Sequence, residues 1–137
     1  MSADATLELL RAVRTALVSD AEIAAAVGER VATDWAAMLS APFMRLSAPD
    51  VRDYETDCGD GSEYTLRVHV FAREAGPVQA RQLAARVRAV LANADLEVTG
   101  AALWWLTYDQ TRNQQDADDP ALQMAIVTFK AVTTAIA

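Results

Sequence analysis

The stretch from Glu63 to Arg73 alternates apolar and polar residues more regularly than any other part of the chain. One set of alternate positions is apolar throughout and comprises Tyr64, Leu66, Val68, Val70 and Ala72. The other set is polar or charged, with Phe71 as its apolar exception. Because neighbouring side chains on a strand point to opposite faces, this period of two predicts a strand with one buried face.

Two helices are predicted near the N-terminus by apolar residues at helical spacing. The first covers residues 5–18, is capped by Asp4 and buries a stripe of Leu7, Leu10, Val13 and Leu17. The second covers residues 20–27. Its start, Ser19-Asp20-Ala21-Glu22, has the form of a capping box, and Gly28 suits the position after its last turn.

A third helix follows the strand of residues 63–73. Gly76-Pro77 opens it, residues 93–95 end it, and its buried stripe is Leu83, Val87, Val90 and Leu91. Further strands are predicted at 31–34, 43–47, 51–57, 103–112 and 121–133, with loops at 35–42 and 113–120. This order predicts a single α+β domain over residues 1–137. Two N-terminal helices and one further helix pack on one face of a mainly antiparallel sheet.

Composition narrows the classes of function. The 137 residues are 53% hydrophobic, which excludes global disorder, yet no apolar run reaches the ~20 residues of a membrane span. The N-terminus lacks the pattern of a secretory signal, so we expect a soluble protein made in the cytoplasm. A net charge of −7 disfavours broad nucleic-acid binding. Cys58 is the only cysteine, which excludes an internal disulfide and a cysteine-based zinc site.

The acidic, glycine-containing turn after Asp53 resembles two ligand-binding motifs superficially. A calcium loop that started at Asp53 would need glycine at its sixth position and glutamate at its twelfth, where Cys58 and Tyr64 stand. Gly59-Asp60-Gly61 lacks the third glycine and the following helix of a dinucleotide loop. We therefore expect no metal and no cofactor, and interpret the segment as a solvated turn with glycine at positive φ.

His69 is the only histidine, so a nucleophilic dyad or triad would have to use it. It lies on the polar side of its strand between Arg67 and Phe71, and no local motif supports catalysis. A surface or interface histidine is the favoured interpretation, and no catalytic residue is predicted. A small ligand-binding or hydrolytic α+β domain that uses His69 and nearby carboxylates stays as the alternative.

Trp104-Trp105 raises a packing problem. If the strand is regular, Trp104, Leu106 and Tyr108 share one face, and Leu103, Trp105 and Thr107 share the other. Helices cover only one face of a two-layer α+β fold, so one tryptophan must point away from them, as must Phe71. Either a loop such as 35–42 folds over that side, or the aromatic side chains form a subunit interface.

Three aspartates, Asp116, Asp118 and Asp119, crowd the predicted loop before Pro120. Such a loop can hold a cation, can be solvated, or can lie against a basic surface of a partner protein.

The order of elements and several segments resemble the tail-completion and tail-terminator (tail-to-head joining) proteins of long-tailed phages, prophages and gene transfer agents. The resemblance spans nearly the whole chain. It is clearest in Asp57–Arg73, an acidic glycine-containing turn followed by a strand that ends in an aromatic residue and arginine. Ala24–Val31, Ala41-Pro42-Phe43 and the helix from Gln79 to Leu91 also match in pattern.

The resemblance implies a structural protein of a virion or phage-like particle, with no enzymatic activity. It implies a homo-oligomeric ring, typically of six subunits, that caps the tail tube, stops its polymerisation and joins it to the head connector. DNA would pass through the ring without specific binding, and no membrane would be involved. A connector ring nearer the capsid is the alternative of the same class. The candidate interface residues are Asp57, Gly59, Asp60, Gly61, Phe71, Trp105, Asp116, Asp118 and Asp119.

Overall fold

The computed structural model describes residues 4–35, 38–56 and 59–135. The helices are α1 (Thr6–Ser19), α2 (Ala21–Val27) and α3 (Val78–Leu91). The strands are β1 (Val31–Ala32), β2 (Phe43–Leu46), β3 (Asp50–Thr56), β4 (Gly59–Arg73), β5 (Ala101–Gln115) and β6 (Leu122–Ala135). Helices and strands follow the predicted order, and the α+β class is confirmed.

The six strands form one sheet in the order β1-β2-β4-β6-β5, and β3 pairs with β4 beyond the end of β2. All pairs are antiparallel except β1 with β2. Residues 113–115, predicted as loop, belong to β5. Backbone pairing with β6 does not depend on apolar side chains, so this polar Asn-Gln-Gln segment continues the strand.

The main core lies between the three helices and one face of the sheet, which we call the inner face. The five alternate apolar residues of β4 predicted to be buried are all fully inaccessible. Residues paired with them from β2 and β6, such as Met44 and Phe129, are equally buried. The period of two therefore identified the buried face of the central strand correctly.

Packing corrects the predicted phase of α1. Leu9, Leu10, Val13 and Leu17 are buried, whereas Leu7 is 63% exposed. Leu10, Val13 and Leu17 are buried as predicted. Leu7 lies one turn before Leu10 and Leu9 one turn before Val13, so either can extend this stripe, and tertiary packing selects Leu9. Asp4 accepts a hydrogen bond from the backbone N–H of Thr6, but the residue at the N-cap position is Ala5.

The cap of α2 is Asp20 rather than Ser19 of the predicted capping box. Its carboxylate accepts from the Ile23 N–H at 3.1 Å and also receives two hydrogen bonds from Arg86 of α3, at 2.6 and 3.0 Å. The Arg86 hydrogen bond, opposed by partial burial, lowers the pKa of Asp20 below its usual value. One carboxylate thus begins α2 and joins it to α3.

In α3 the residue at the N-cap position is Pro77, so proline precedes the first helical residue instead of occupying it. Glu74 supplies the missing cap, because its Oε1 accepts from the Gln79 N–H at 2.6 Å. Arg88 lies 3.9 Å from the centroid of the Tyr108 ring, a cation–π contact that joins α3 to β5.

Candidate protein-interaction surfaces

The sheet face opposite the helices, which we call the outer face, carries the odd-numbered residues of β4 from Gly61 to Arg73 and the residues paired with them. Two of the predicted interface residues, Phe71 and Trp105, lie on it. Phe71 pairs with Met124, and Trp105 with Val132. Both aromatic side chains are half-buried.

An aromatic cluster covers one end of the outer face. Phe71 stacks on Phe43 with ring centroids 4.7 Å apart, and Trp35 meets Phe71 edge-on at 6.4 Å. Trp35 is fixed by its indole N–H, which donates to the carbonyl of Leu46 at 3.1 Å. Arg45 packs over the rings of Trp35 and Phe43. Trp35, the first residue of the predicted covering loop, therefore covers this end and is itself 46% exposed.

A β-bulge changes the predicted faces around the paired tryptophans. The register shifts between Leu103 and Trp105, so Trp104 is the extra residue and is 44% exposed. Leu103 consequently packs on the inner core together with Leu106, and the prediction that it shares a face with Trp105 was wrong. Trp105 does point to the outer face, where its ring meets Tyr54 edge-on at 6.5 Å.

The outer face is basic, a property that sequence reasoning missed. Its strand positions hold six basic and two acidic residues, a net charge of +4, so the rest of this −7 chain carries −11. The basic residues are Arg45, Arg52, Arg67, Arg73, Arg112 and Lys130; the acidic ones are Asp50 and Glu63. Alternation within each predicted strand can assign its charged residues to one of two sides. Only the pairing of the strands shows that the basic sides of different strands form the same face of the sheet.

His69 lies on the outer face beneath Trp35, with ring centroids 4.8 Å apart. Its Nε2 is 3.3 Å from the Ser47 hydroxyl, while its buried Nδ1 has no hydrogen-bond partner among the residues that the structure describes. A serine–histidine catalytic pair needs an orienting group on the second nitrogen, which is missing from this geometry. Burial, and secondarily the charge of Arg67, lower the pKa of His69. These contacts favour a neutral, packed histidine.

The carboxylates of the 116–121 loop mainly stabilise the loop itself. Asp116 accepts hydrogen bonds from the N–H groups of Asp118 and Asp119, at 2.8 and 3.1 Å. Asp119 pairs with Arg73 at 2.6 Å, and this hydrogen bond lowers the pKa of Asp119. Asp118 is exposed. Among the described residues, no three His, Cys, Asp or Glu side chains are placed to hold a metal ion.

The acidic turn joins β3 to β4, and Asp57 and Cys58 at its tip lie outside the described residues. Gly59, Asp60 and Gly61 belong to β4, which starts earlier than predicted. Gly61 is needed for close approach and not for positive φ: a Cβ there would lie 2.9 Å from the carbonyl oxygens of both Tyr54 and Thr133. The interpretation as a positive-φ turn was wrong for this glycine.

The two segments predicted to reach partners lie at opposite ends of the sheet. Thr56 pairs with Gly59 at one end of β4, and Arg73 pairs with Leu122 at the other. The 14 steps between Gly59 and Arg73 span about 45 Å at strand spacing. The two segments therefore cannot share one contact patch.

Within the described ranges, no helix is long and apolar enough to cross a membrane. Apolar packing and ion pairs hold this fold together, and one face of its sheet is aromatic and charged. These features define an α+β protein suited to contacts with other proteins.

Comparisons with known proteins identify the family. Residues 11–134 match the family described as Tail completion protein gp17. The chain belongs to this family and is a structural component of phage-type tails, so the predicted resemblance is confirmed. A chain of a solved structure titled "Virion of native gene transfer agent (GTA) particle" is similar, with a TM-score of 0.87 and 25% identity. The similarity covers 97% of this chain and 99% of that one. Comparison with curated proteins gives no match.

Proposed function

We propose that the chain acts, over residues 1–137 as one domain, as the tail terminator of a phage or gene transfer agent. In this role it forms a ring of six subunits on the finished tail tube. The ring stops addition of further tube protein and presents the surface that joins the head connector, and DNA passes through its centre. The observation that carries the proposal is the family match over residues 11–134, supported by the close structural likeness to a chain of a gene transfer agent virion.

The geometry of the subunit is compatible with a position between two different partners. A terminator contacts the tail tube on one side and the connector on the other. The 116–121 loop lies at the opposite end of the sheet from the β3–β4 turn, so the loop can face one of these partners while the hairpin meets a neighbouring subunit. We propose that the predicted interface residues divide accordingly: Asp60 and Gly61 belong to one end, and Asp116 and Asp118 to the other.

Deletion of the gene, followed by electron microscopy of the particles, tests the proposal. Loss of a terminator leaves tube growth unchecked, so we expect tails of increased and variable length without attached heads. Expression of the wild-type gene from a plasmid should restore uniform, joined particles. Unjoined tails of normal length would instead support the connector ring, and unchanged particles would contradict a role in tail assembly.

A further inference from the structure

The charges of the subunit are separated across the sheet. The outer face carries +4, whereas the remainder of the chain carries −11. Two outer-face arginines, Arg52 and Arg112, are exposed. Basic side chains crowded on one face repel one another unless acidic groups approach them. Arg67 and Arg73 already pair with Asp50 and Asp119, so the attraction for an anionic occupant comes mainly from Arg52 and Arg112.

An acidic surface of matching character lies on the opposite side of the sheet, at the end of the β3–β4 hairpin. We call it the acidic hairpin end and define it as Asp53, Glu55 and Asp60, all exposed. Glu55 and Asp60 are directly opposed across the two strands, and Asp53 lies on the same face. Like charges in directly opposed positions destabilise an isolated hairpin, and a basic partner would relieve the repulsion.

The two surfaces cannot neutralise each other within one subunit. Residues of the acidic hairpin end have inner-face positions, since Asp53 pairs with Ser62 and Glu55 with Asp60. The basic residues are odd-numbered residues of β4 or lie level with them across the sheet, on the outer face. A contact between them must join two copies. In such a contact two different patches of the same chain meet, so the contact is heterologous. Repeated heterologous contacts generate a ring when the rotation between neighbouring copies brings the last copy back to the first.

We propose that the outer face of one subunit docks the acidic hairpin end of the neighbouring copy. This inference rests on the proposed ring and identifies its subunit contact. The exposed ring of Trp35 and the half-buried rings of Phe71, Tyr54 and Trp105 supply the aromatic area common in protein interfaces. Duplex DNA in the channel is the competing anionic occupant. The combination of aromatic area with a complementary acidic patch on the same chain favours the second copy.

A charge-swap experiment on the full chain tests the contact. The face-reversed variant carries Arg52→Glu and Arg112→Glu; the hairpin-reversed variant carries Asp53→Arg and Glu55→Arg. Arg11→Glu with Arg81→Glu makes the same charge change as the face-reversed variant on exposed helix positions and is its matched control. Native mass spectrometry and sedimentation velocity, at low and high salt, measure ring formation, and thermal unfolding monitors the fold of each variant.

Each reversed variant alone should need at least about tenfold more protein than wild type for half-maximal assembly, because like charges then meet at the substituted positions. The control should assemble like wild type. An equal mixture of the two reversed variants should recover rings, since the two new negative charges on one variant's face then meet the two new positive charges on the other variant's hairpin. A six-membered ring permits the alternation. Salt should weaken wild-type assembly.

The outcomes separate this contact from the proposed function. Rings of normal size and affinity from both reversed variants would overturn the contact and leave the terminator role intact. If rings of the face-reversed variant also bound duplex DNA more weakly, while rings of the hairpin-reversed variant did not, the outer face would be assigned to the channel. Failure of the mixture to assemble, with both variants folded, would likewise overturn the pairing. A wild-type chain that forms no oligomer, either free or on purified tail tubes, would overturn the ring and the contact together.

Discussion

Replacing Tyr64 by phenylalanine removes one hydroxyl from the centre of the fold. Tyr64 is fully buried in β4, and its hydroxyl oxygen accepts from the backbone N–H of Ala5 at 2.8 Å. The same oxygen lies 2.8 Å from the hydroxyl of Thr133, which is fully buried in β6. This hydroxyl therefore ties the residue at the start of α1 to two central strands, across 59 positions of sequence.

The expected cost follows from the groups left behind. Tyr64→Phe keeps the ring and its packing but deprives a buried N–H and a buried hydroxyl of their partner. Leaving such groups unsatisfied costs about 1–3 kcal/mol, and the two together place the loss of unfolding free energy in the upper half of that range. Urea denaturation followed by circular dichroism measures it, provided the dependence on urea concentration is unchanged.

Tyr108→Phe is the matched control, because the hydroxyl of Tyr108 lies in a half-buried site, where it contacts the nearby Thr111. Its loss should cost about 1 kcal/mol or less. A double-mutant cycle of Tyr64→Phe with Thr133→Val should show a coupling energy of about 0.5 kcal/mol or more. A Tyr64→Phe protein no less stable than Tyr108→Phe would refute the argument that this hydroxyl holds α1 on the sheet.

Three further predictions concern other parts of the subunit. Gly61→Ala should lower the unfolding free energy by about 1–3 kcal/mol, because the added Cβ would lie 2.9 Å from two carbonyl oxygens. Gly76→Ala is the control, because the space at that position is open. It should change the unfolding free energy by less than about 0.5 kcal/mol in the same urea assay. Leu9→Ala should cost about 2–5 kcal/mol, whereas Leu7→Ala should be nearly neutral; equal effects would contradict the observed phase of α1. In the folded protein the pKa of His69 lies below its usual value of 6.5. As the pH falls through that value, the unfolded chain therefore binds more protons than the folded protein. The unfolding free energy should decrease as the pH falls from about 7.5 to 5.5. His69→Gln should flatten this pH dependence, and an unchanged slope would mean that other groups cause it.

The position of each interface candidate shows how far local sequence reasoning extended. Phe71 and Trp105 were expected on the face away from the helices and lie there. Asp119 was a candidate interface residue, and in the structure it pairs with Arg73, 46 positions away in sequence. No local pattern predicts that pair, because it forms only when the start of β6 meets the end of β4. That any of these residues contacts a partner stays a prediction.

The bulge at Trp104 is a second case. Its sequence is compatible with a regular strand, and the extra residue becomes visible only in the pairing of β5 with β6. In the same way, the requirement for glycine at position 61 comes from carbonyl oxygens of two neighbouring strands and not from its own turn.

The sequence by itself determined the order of elements, the α+β class, the buried face of β4 and the resemblance to tail-completion proteins. These properties depend on periodicity, caps and turns that operate over a few residues. Tertiary structure alone decided which of Leu7 and Leu9 is buried in α1, the bulge that makes Trp104 an extra residue, and the separation of a basic outer face from an acidic hairpin end. Each of those depends on which strands become neighbours, and strand pairing is a long-range choice that the whole core makes at once.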